Sequence, residues 1–202
     1  MGLLDVKVDI VWFKRDFRLE DHAPINEVAT SNNNFLGIFV IEPSRLREND
    51  TDPIHIDWEI QCAVELQSRI RELGGEMLIL HDEIIDVFVK LSKEYQISNI
   101  YSHEEIGTEW SYRRDIQFGE WCKSRELNWK EFPTNAVVRK LNNRDNWYKL
   151  RTERLMKDVI PAPNQLKFEN KLRIDSISSS KEIGIIPRKL RDKYKPGEIE
   201  AK

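Results

Sequence analysis

Val8-Asp9-Ile10-Val11-Trp12-Phe13 is a short apolar run that passes without a break into Lys14-Arg15-Asp16-Phe17-Arg18-Leu19-Glu20-Asp21-His22. The run is too short for an ordinary helix and rich in branched and aromatic residues, so it reads as a buried β-strand. Charge then crowds the carboxyl end of that strand, the edge where α/β folds bind ligands. Arg15 and Asp16 are candidate site residues on this ground. The plainer reading of the same pattern is an Arg-Asp ion pair that pins the first loop.

Working outward, segments 35–41, 77–80, 99–102 and 129–132 read as four further strands. Between them lie stretches with helical spacing. One starts at Asp52-Pro53, a cap followed by a proline at the first helical position, and carries Ile60, Ala63, Val64, Ile70 and Leu73 as an apolar stripe before Gly74-Gly75 ends it. A second follows Asp82 with Ile84, Ile85, Phe88 and Leu91 inward; a third spans about 108–125 with Trp110, Phe118 and Trp121. Crossovers of a dozen or more residues imply parallel pairing. The expected fold is α/β: a five-stranded parallel, doubly wound, Rossmann-like sheet with helices on both faces, followed by an extended linker. Residues 1–134 form the α/β domain, 135–160 a basic and aromatic loop with a short helix at about 151–157, and 161–202 the linker. Pro161-Ala162-Pro163 stops any regular structure at its start.

Composition agrees with one core. The chain has 202 residues, of which 40% are hydrophobic. No apolar run approaches the ~20 residues of a membrane helix and no signal-peptide pattern opens the chain, so a cytoplasmic protein without membrane partners is expected. Cys62 and Cys122 stand alone, which supports neither a disulfide framework nor a metal site. Residues 1–150 hold 19 Lys/Arg against 27 Asp/Glu, a balance of −8, whereas 151–202 hold 13 against 8, a balance of +5. An acidic main domain argues against strong DNA binding by this chain alone. Glycine-rich dinucleotide and P-loop fingerprints are missing, as are the GxSxG elbow and HExxH, which argues against a standard NAD enzyme, P-loop NTPase, serine hydrolase or zinc protease.

Four ordered motifs carry a family resemblance. Trp12-Phe13-Lys14-Arg15-Asp16-Phe17-Arg18 with Asp21 opens the first strand end, and Phe39-Val40-Ile41-Glu42-Pro43 closes the second strand. Ser102-His103-Glu104-Glu105-Ile106-Gly107 leads into Trp110-Ser111-Tyr112-Arg113-Arg114-Asp115. Asn135-Ala136-Val137-Val138-Arg139-Lys140-Leu141 is followed by Arg144-Asp145-Asn146-Trp147. This series resembles the N-terminal α/β domain of photolyases and cryptochromes, in particular their plant-like and bacterial cryptochrome-related branch. Ile106, Thr108 and Ala136 depart from the usual Thr, Asn and Gly of that pattern.

The resemblance implies a light-harvesting domain that binds an antenna chromophore of the methenyltetrahydrofolate, deazaflavin or flavin type. The implied site combines Arg15, Asp16, Glu42, His103, Glu104 and Glu105, with the adjacent carboxylates Glu104 and Glu105 accepting from the ring N–H groups of the chromophore. Glu105→Ala is then expected to weaken chromophore retention with little loss of stability. Arg139, Lys140, Arg144 and Trp147 would contact a phosphate backbone or, as the favoured reading, a partner domain. FAD would be held by a helical domain outside these residues, present in cis or as a separate chain. Damaged DNA would be met only through it, and the family's electron-relay tryptophans would lie there, leaving Trp110, Trp121 and Trp129 as packing. The end of the sequence, Pro196-Gly197-Glu198-Ile199-Glu200-Ala201-Lys202, resembles the start of that domain's first helix. No catalytic residue and no metal is expected within the chain. Three functions follow: the antenna half of a DNA-repair photolyase, the same half of a photoreceptor cryptochrome without repair activity, or a stand-alone nucleotide- or cofactor-binding module.

Overall fold

The computed structural model describes residues 7–31, 33–139, 141, 143–169, 174–186 and 195–201. Five parallel strands, β1 (Lys7–Phe13), β2 (Asn34–Ile41), β3 (Glu76–His81), β4 (Gln96–His103) and β5 (Asn128–Phe132), form one sheet in the order β3-β2-β1-β4-β5. The chain enters at the centre, builds outward through β2 and β3, then returns to the other side of β1. The direction of winding therefore reverses between β1 and β4, and the crevice beyond their carboxyl ends is where this topology holds ligands.

Alternation within the strands explains why both faces are covered. In β1, Val11 and Phe13 face one core together with Ile25 and Val28 of α1 (Ala23–Ala29) and, beyond the short helix α2 (Pro43–Leu46), Ile56, Ile60, Ala63, Leu66 and Ile70 of α3 (Pro53–Glu72). Val8, Ile10 and Trp12 face the other, against Ile84, Val87, Phe88 and Leu91 of α4 (Ile84–Glu94) and Phe118 and Cys122 of α5 (Glu109–Ser124). A strand buried on both sides loses the polar-apolar alternation and reads as a continuous apolar run. Trp12, Phe13, Phe35, Phe39, Phe88 and Phe118 are among the fully buried side chains, each contributing about 1.5–3 kcal/mol relative to an exposed position.

Local signals set the helix ends. The Asp52 carboxylate accepts the Ile54 N–H at 2.8 Å and Pro53 opens α3, while Gly74, at φ +89°, ends it in the left-handed region. Two details differ from the sequence expectation. The short helix α1 has no counterpart in that expectation: its start is signalled only by Pro24 and by His22, whose ring nitrogen accepts the Ile25 N–H. Helix α6 spans Trp147–Leu155, beginning four residues earlier than expected, and none of its residues is buried.

The extension after α6 is irregular but packed. Leu166 is buried and its N–H donates to the Leu73 carbonyl at 2.7 Å. Ile177 donates to the Ile79 carbonyl at 2.9 Å while Ser176 Oγ accepts the Ile79 N–H at 2.9 Å. The linker thus satisfies the outer edge of β3, which would otherwise present free backbone groups.

Candidate functional site

Two side-chain clusters sit at the carboxyl ends of β1 and β4, and each begins with a residue of the first loop. Lys14 turns inward. Its Nζ lies 2.9 Å from Asp115 and 3.4 Å from Glu131, and 4.7 Å from the centroid of the Trp12 ring. Beside it, Arg114 of α5 lies over Trp12 at 4.7 Å and over Trp110 at 5.0 Å. Its guanidinium pairs with Glu42 at 3.2 Å, with Asp115 at 2.8 Å and with Glu105. Glu105 is shared, since its other oxygen takes Arg15 at 2.5 Å.

This network sorts its carboxyls. Burial pushes Glu42 up to about 7 even though Arg114 and the Ile84 N–H favour its charged form. For Glu105, burial works in the same direction, but Arg114, Arg15 and Lys14 outweigh it and hold the group down at about 2. Arg114 is held charged, its own burial being outweighed by Glu105, Asp115 and Glu42. Charges this deep persist only because every one has partners.

The second cluster is Asp16, His22 and His103. Asp16 Oδ1 accepts the Lys14 N–H at 2.8 Å, and Asp16 Oδ2 meets His22 Nε2 at 3.0 Å and His103 Nδ1 at 2.5 Å. Burial raises the Asp16 carboxyl, but hydrogen bonds from His103 and His22 dominate and hold it well below the usual range. His22 is pushed down, burial outweighing Asp16. Because His22 Nδ1 accepts the Ile25 N–H, its Nε2 carries the proton. The three ligand-type atoms lie within 4.8 Å of one another. A cation there would have to remove that Nε2 proton while Nδ1 stays an acceptor, so the arrangement suits a hydrogen-bonded loop clamp better than a metal centre.

All six expected site residues lie at this edge, with Arg15, Glu42 and Glu105 in the first cluster, Asp16 and His103 in the second, and Glu104 turned to the α6 side. Asp16 pairs with histidines and a backbone amide, which replaces the expected Arg-Asp ion pair. Glu104 and Glu105 diverge: Glu104 reaches Arg154 at 3.4 Å on the α6 side, while Glu105 faces Arg15 and Arg114. Of the basic cluster, Arg139 pairs with Glu131 at 2.9 Å, Arg144 is exposed and Trp147 stands 42% exposed beside Arg151. Lys140 lies outside the described residues. Trp121 and Trp129 pack around Phe118, and Trp110 donates its indole N–H to Ser44 Oγ at 3.1 Å. Lys14, His22, Arg114 and Asp115, which complete both clusters, stand within the sequence motifs, but nothing in their spacing marks them as partners.

Open space adjoins Arg15, whose side chain is 46% exposed. A cavity of about 610 Å³ is lined by Arg15, Phe17, Arg18, Trp58 and Glu198, and a smaller one of about 130 Å³ by Arg15, Arg45, Thr108 and Trp110. Among the described residues, no helix is long and apolar enough to cross a membrane.

A family model described as DNA photolyase matches residues 9–152. Cryptochrome DASH of Gloeobacter violaceus is 22% identical over 141 residues, covering 67% of this chain and 26% of that protein. The crystal structure of Synechocystis sp. PCC6803 cryptochrome superposes with a TM-score of 0.78 at 16% identity, covering 99% of this chain and 45% of that one. An archaeal photolyase from Sulfolobus tokodaii, described with two FAD molecules and the implication of a novel light-harvesting cofactor, gives 0.69 at 18% identity, covering 96% and 44%. The chain spans about a fifth to a quarter of the length of the curated relatives it matches. With the family match extending over most of the sheet and the same fold in the solved relatives, this chain belongs to the DNA photolyase family and carries its N-terminal α/β domain.

Proposed function

We propose that this chain is the light-harvesting domain of a photolyase-type flavoprotein, with its antenna chromophore seated against Arg15 at the carboxyl edge of the sheet. The observation that carries the reading is the position of Arg15 between two cavities, one walled by Phe17 and Trp58 and the other by Arg45 and Trp110. A conjugated ring system with acidic or phosphate groups, as in a methenyltetrahydrofolate, a deazaflavin or a flavin nucleotide, would lie along an indole and pair with the guanidinium groups. Glu105 and Arg114 would then position Arg15, and the clamp of Asp16 and His103 would keep its loop stiff. Glu42 would act behind Arg114, and Glu104 through Arg154.

The bound chromophore would supply absorption in the near-UV or visible range and pass the excitation on. The chain's own part is to bind and orient it. FAD, contact with damaged DNA and any dimer splitting would belong to the helical domain, in cis or as a separate chain. The surface carrying Arg139, Arg144 and Trp147, with exposed Tyr148, Met156 and Val159 nearby, is proposed to dock that domain.

Titration with reduced folates, deazaflavin and flavin nucleotides, followed by absorption, tests the antenna site. Saturable uptake that Arg15→Ala weakens ten-fold or more, about 1.4 kcal/mol, is expected, with Arg113→Ala as control. No uptake, or equal affinity in the Arg15 variant, would overturn it.

A further inference from the structure

Glu198 lies far from the first loop in sequence, yet its carboxylate is bound there. Oε2 accepts the Leu19 N–H at 2.9 Å and Oε1 the Glu20 N–H at 3.3 Å, while Arg69 Nη1 of α3 reaches Oε2 at 2.6 Å. Two successive backbone amides with a guanidinium opposite are donors arranged for a compact oxyanion. None of the three belongs to the segment that supplies the carboxylate. Glu65, one turn before Arg69 on α3, stays 3.6 Å from the guanidinium, and burial, with Glu198 beside it, pushes its carboxyl up.

The segment that brings Glu198 there is shaped for close contact. Gly197 sits at φ +109°, and a Cβ on it would fall 2.8 Å from Glu65 Cγ. Lys195, Gly197, Glu198 and Glu200 form one wall of the cavity of about 610 Å³ beside Arg15.

We infer that the Leu19 and Glu20 amides with Arg69 form an oxyanion site that Glu198 fills from within the chain, so that residues 195–201 are a latch over the cavity. The external ligand class is a phosphate or phosphate monoester, which offers the same paired oxygens with more charge. Binding it would exchange the hydrogen bonds of the Glu198 carboxylate for its own and would also break the backbone contacts of Gly197 with Cys62 and of Glu198 with Glu65. The inference shares a cavity with the chromophore reading but does not rest on it, because its donors are two amides and an arginine that are in place whether or not a chromophore binds.

Amide hydrogen exchange at Leu19 and Glu20 tests it, with the β1 and β2 amides of Val11 and Phe39 reporting that the fold is intact. In Glu198→Ala, exchange at the two loop amides should speed up on the order of ten-fold or more while the strand amides are unchanged. Inorganic phosphate at millimolar concentration, against chloride at equal ionic strength, should restore the protection in Glu198→Ala and fail to do so once Arg69→Gln is added. Glu198→Gln, which keeps the side-chain length and loses the charge, should lie between parent and Ala variant. Unchanged loop exchange in Glu198→Ala overturns the latch. Loss of protection that phosphate and chloride restore equally, or not at all, overturns the anion site.

Discussion

Arg114 lies over the ring of Trp12, its guanidinium carbon 4.7 Å from the centroid, and in that position joins the carboxylates at the ends of β2 and β4. The indole supplies a wall that excludes water, and the cation is the shared partner of three buried acidic side chains, with Lys14 and Arg15 supplying further positive charge to Asp115 and Glu105.

Arg114→Ala should therefore cost about 3–5 kcal/mol, since it leaves Glu42, Glu105 and Asp115 without their common partner. Arg113→Ala, which removes only an exposed pairing with Glu109 at 3.6 Å, should stay within about 0.5 kcal/mol. Urea midpoints of the two variants check this; similar losses would show that the buried network is not what stabilises the edge.

Asp16→Ala removes the acceptor shared by His22, His103 and the Lys14 amide. A loss of about 1–3 kcal/mol is expected, through buried donors left unpaired. Equal denaturation midpoints for variant and parent would mean that the histidines find other partners.

Glu42 and Glu105 give stability opposite slopes with pH. Glu42 is raised from 4.5 to about 7 in the folded protein, so the folded state holds more protons across that window and its contribution falls as pH rises through it. Glu105 is lowered from 4.5 to about 2, so its contribution is complete above the unfolded value and is lost as pH falls toward the folded one. Glu42→Gln, which can still accept from the Ile84 amide, should flatten the loss between about pH 5 and about pH 8, worth on the order of 2 kcal/mol. Urea midpoints at those two pH values measure it, and an unchanged slope would remove Glu42 as its source.

Glu105→Ala is expected to destabilise by about 1–3 kcal/mol. The motif alone placed Glu105 at a ligand with little part in stability, whereas its pairing with Arg15 and Arg114 ties it to the fold. A thermal melt matching the parent would return it to the ligand-only role.

Strands, main helices and the ligand edge were legible in the linear chain because their signals are local. A doubly buried strand such as β1 must be apolar throughout, Asp52-Pro53 and Gly74 mark helix ends by backbone chemistry, and a charged run directly after a strand lies at its carboxyl end. Helix α1 escaped because seven residues carry too little periodicity, and the start of α6 because a helix with no buried residue has no apolar stripe to mark it. Which charge meets which partner was decided only by the tertiary structure. Arg113 and Arg114 are neighbours of one type, yet about 100° of helix rotation sends one to solvent and the other over Trp12. Glu104 and Glu105 likewise part to opposite sides. Asp16 finds His103 across the β1–β4 crevice, and Glu198 finds Leu19 from the far end of the chain. These pairings depend on distances that arise when separate strands and helices are brought side by side, and residue order carries no direct record of them.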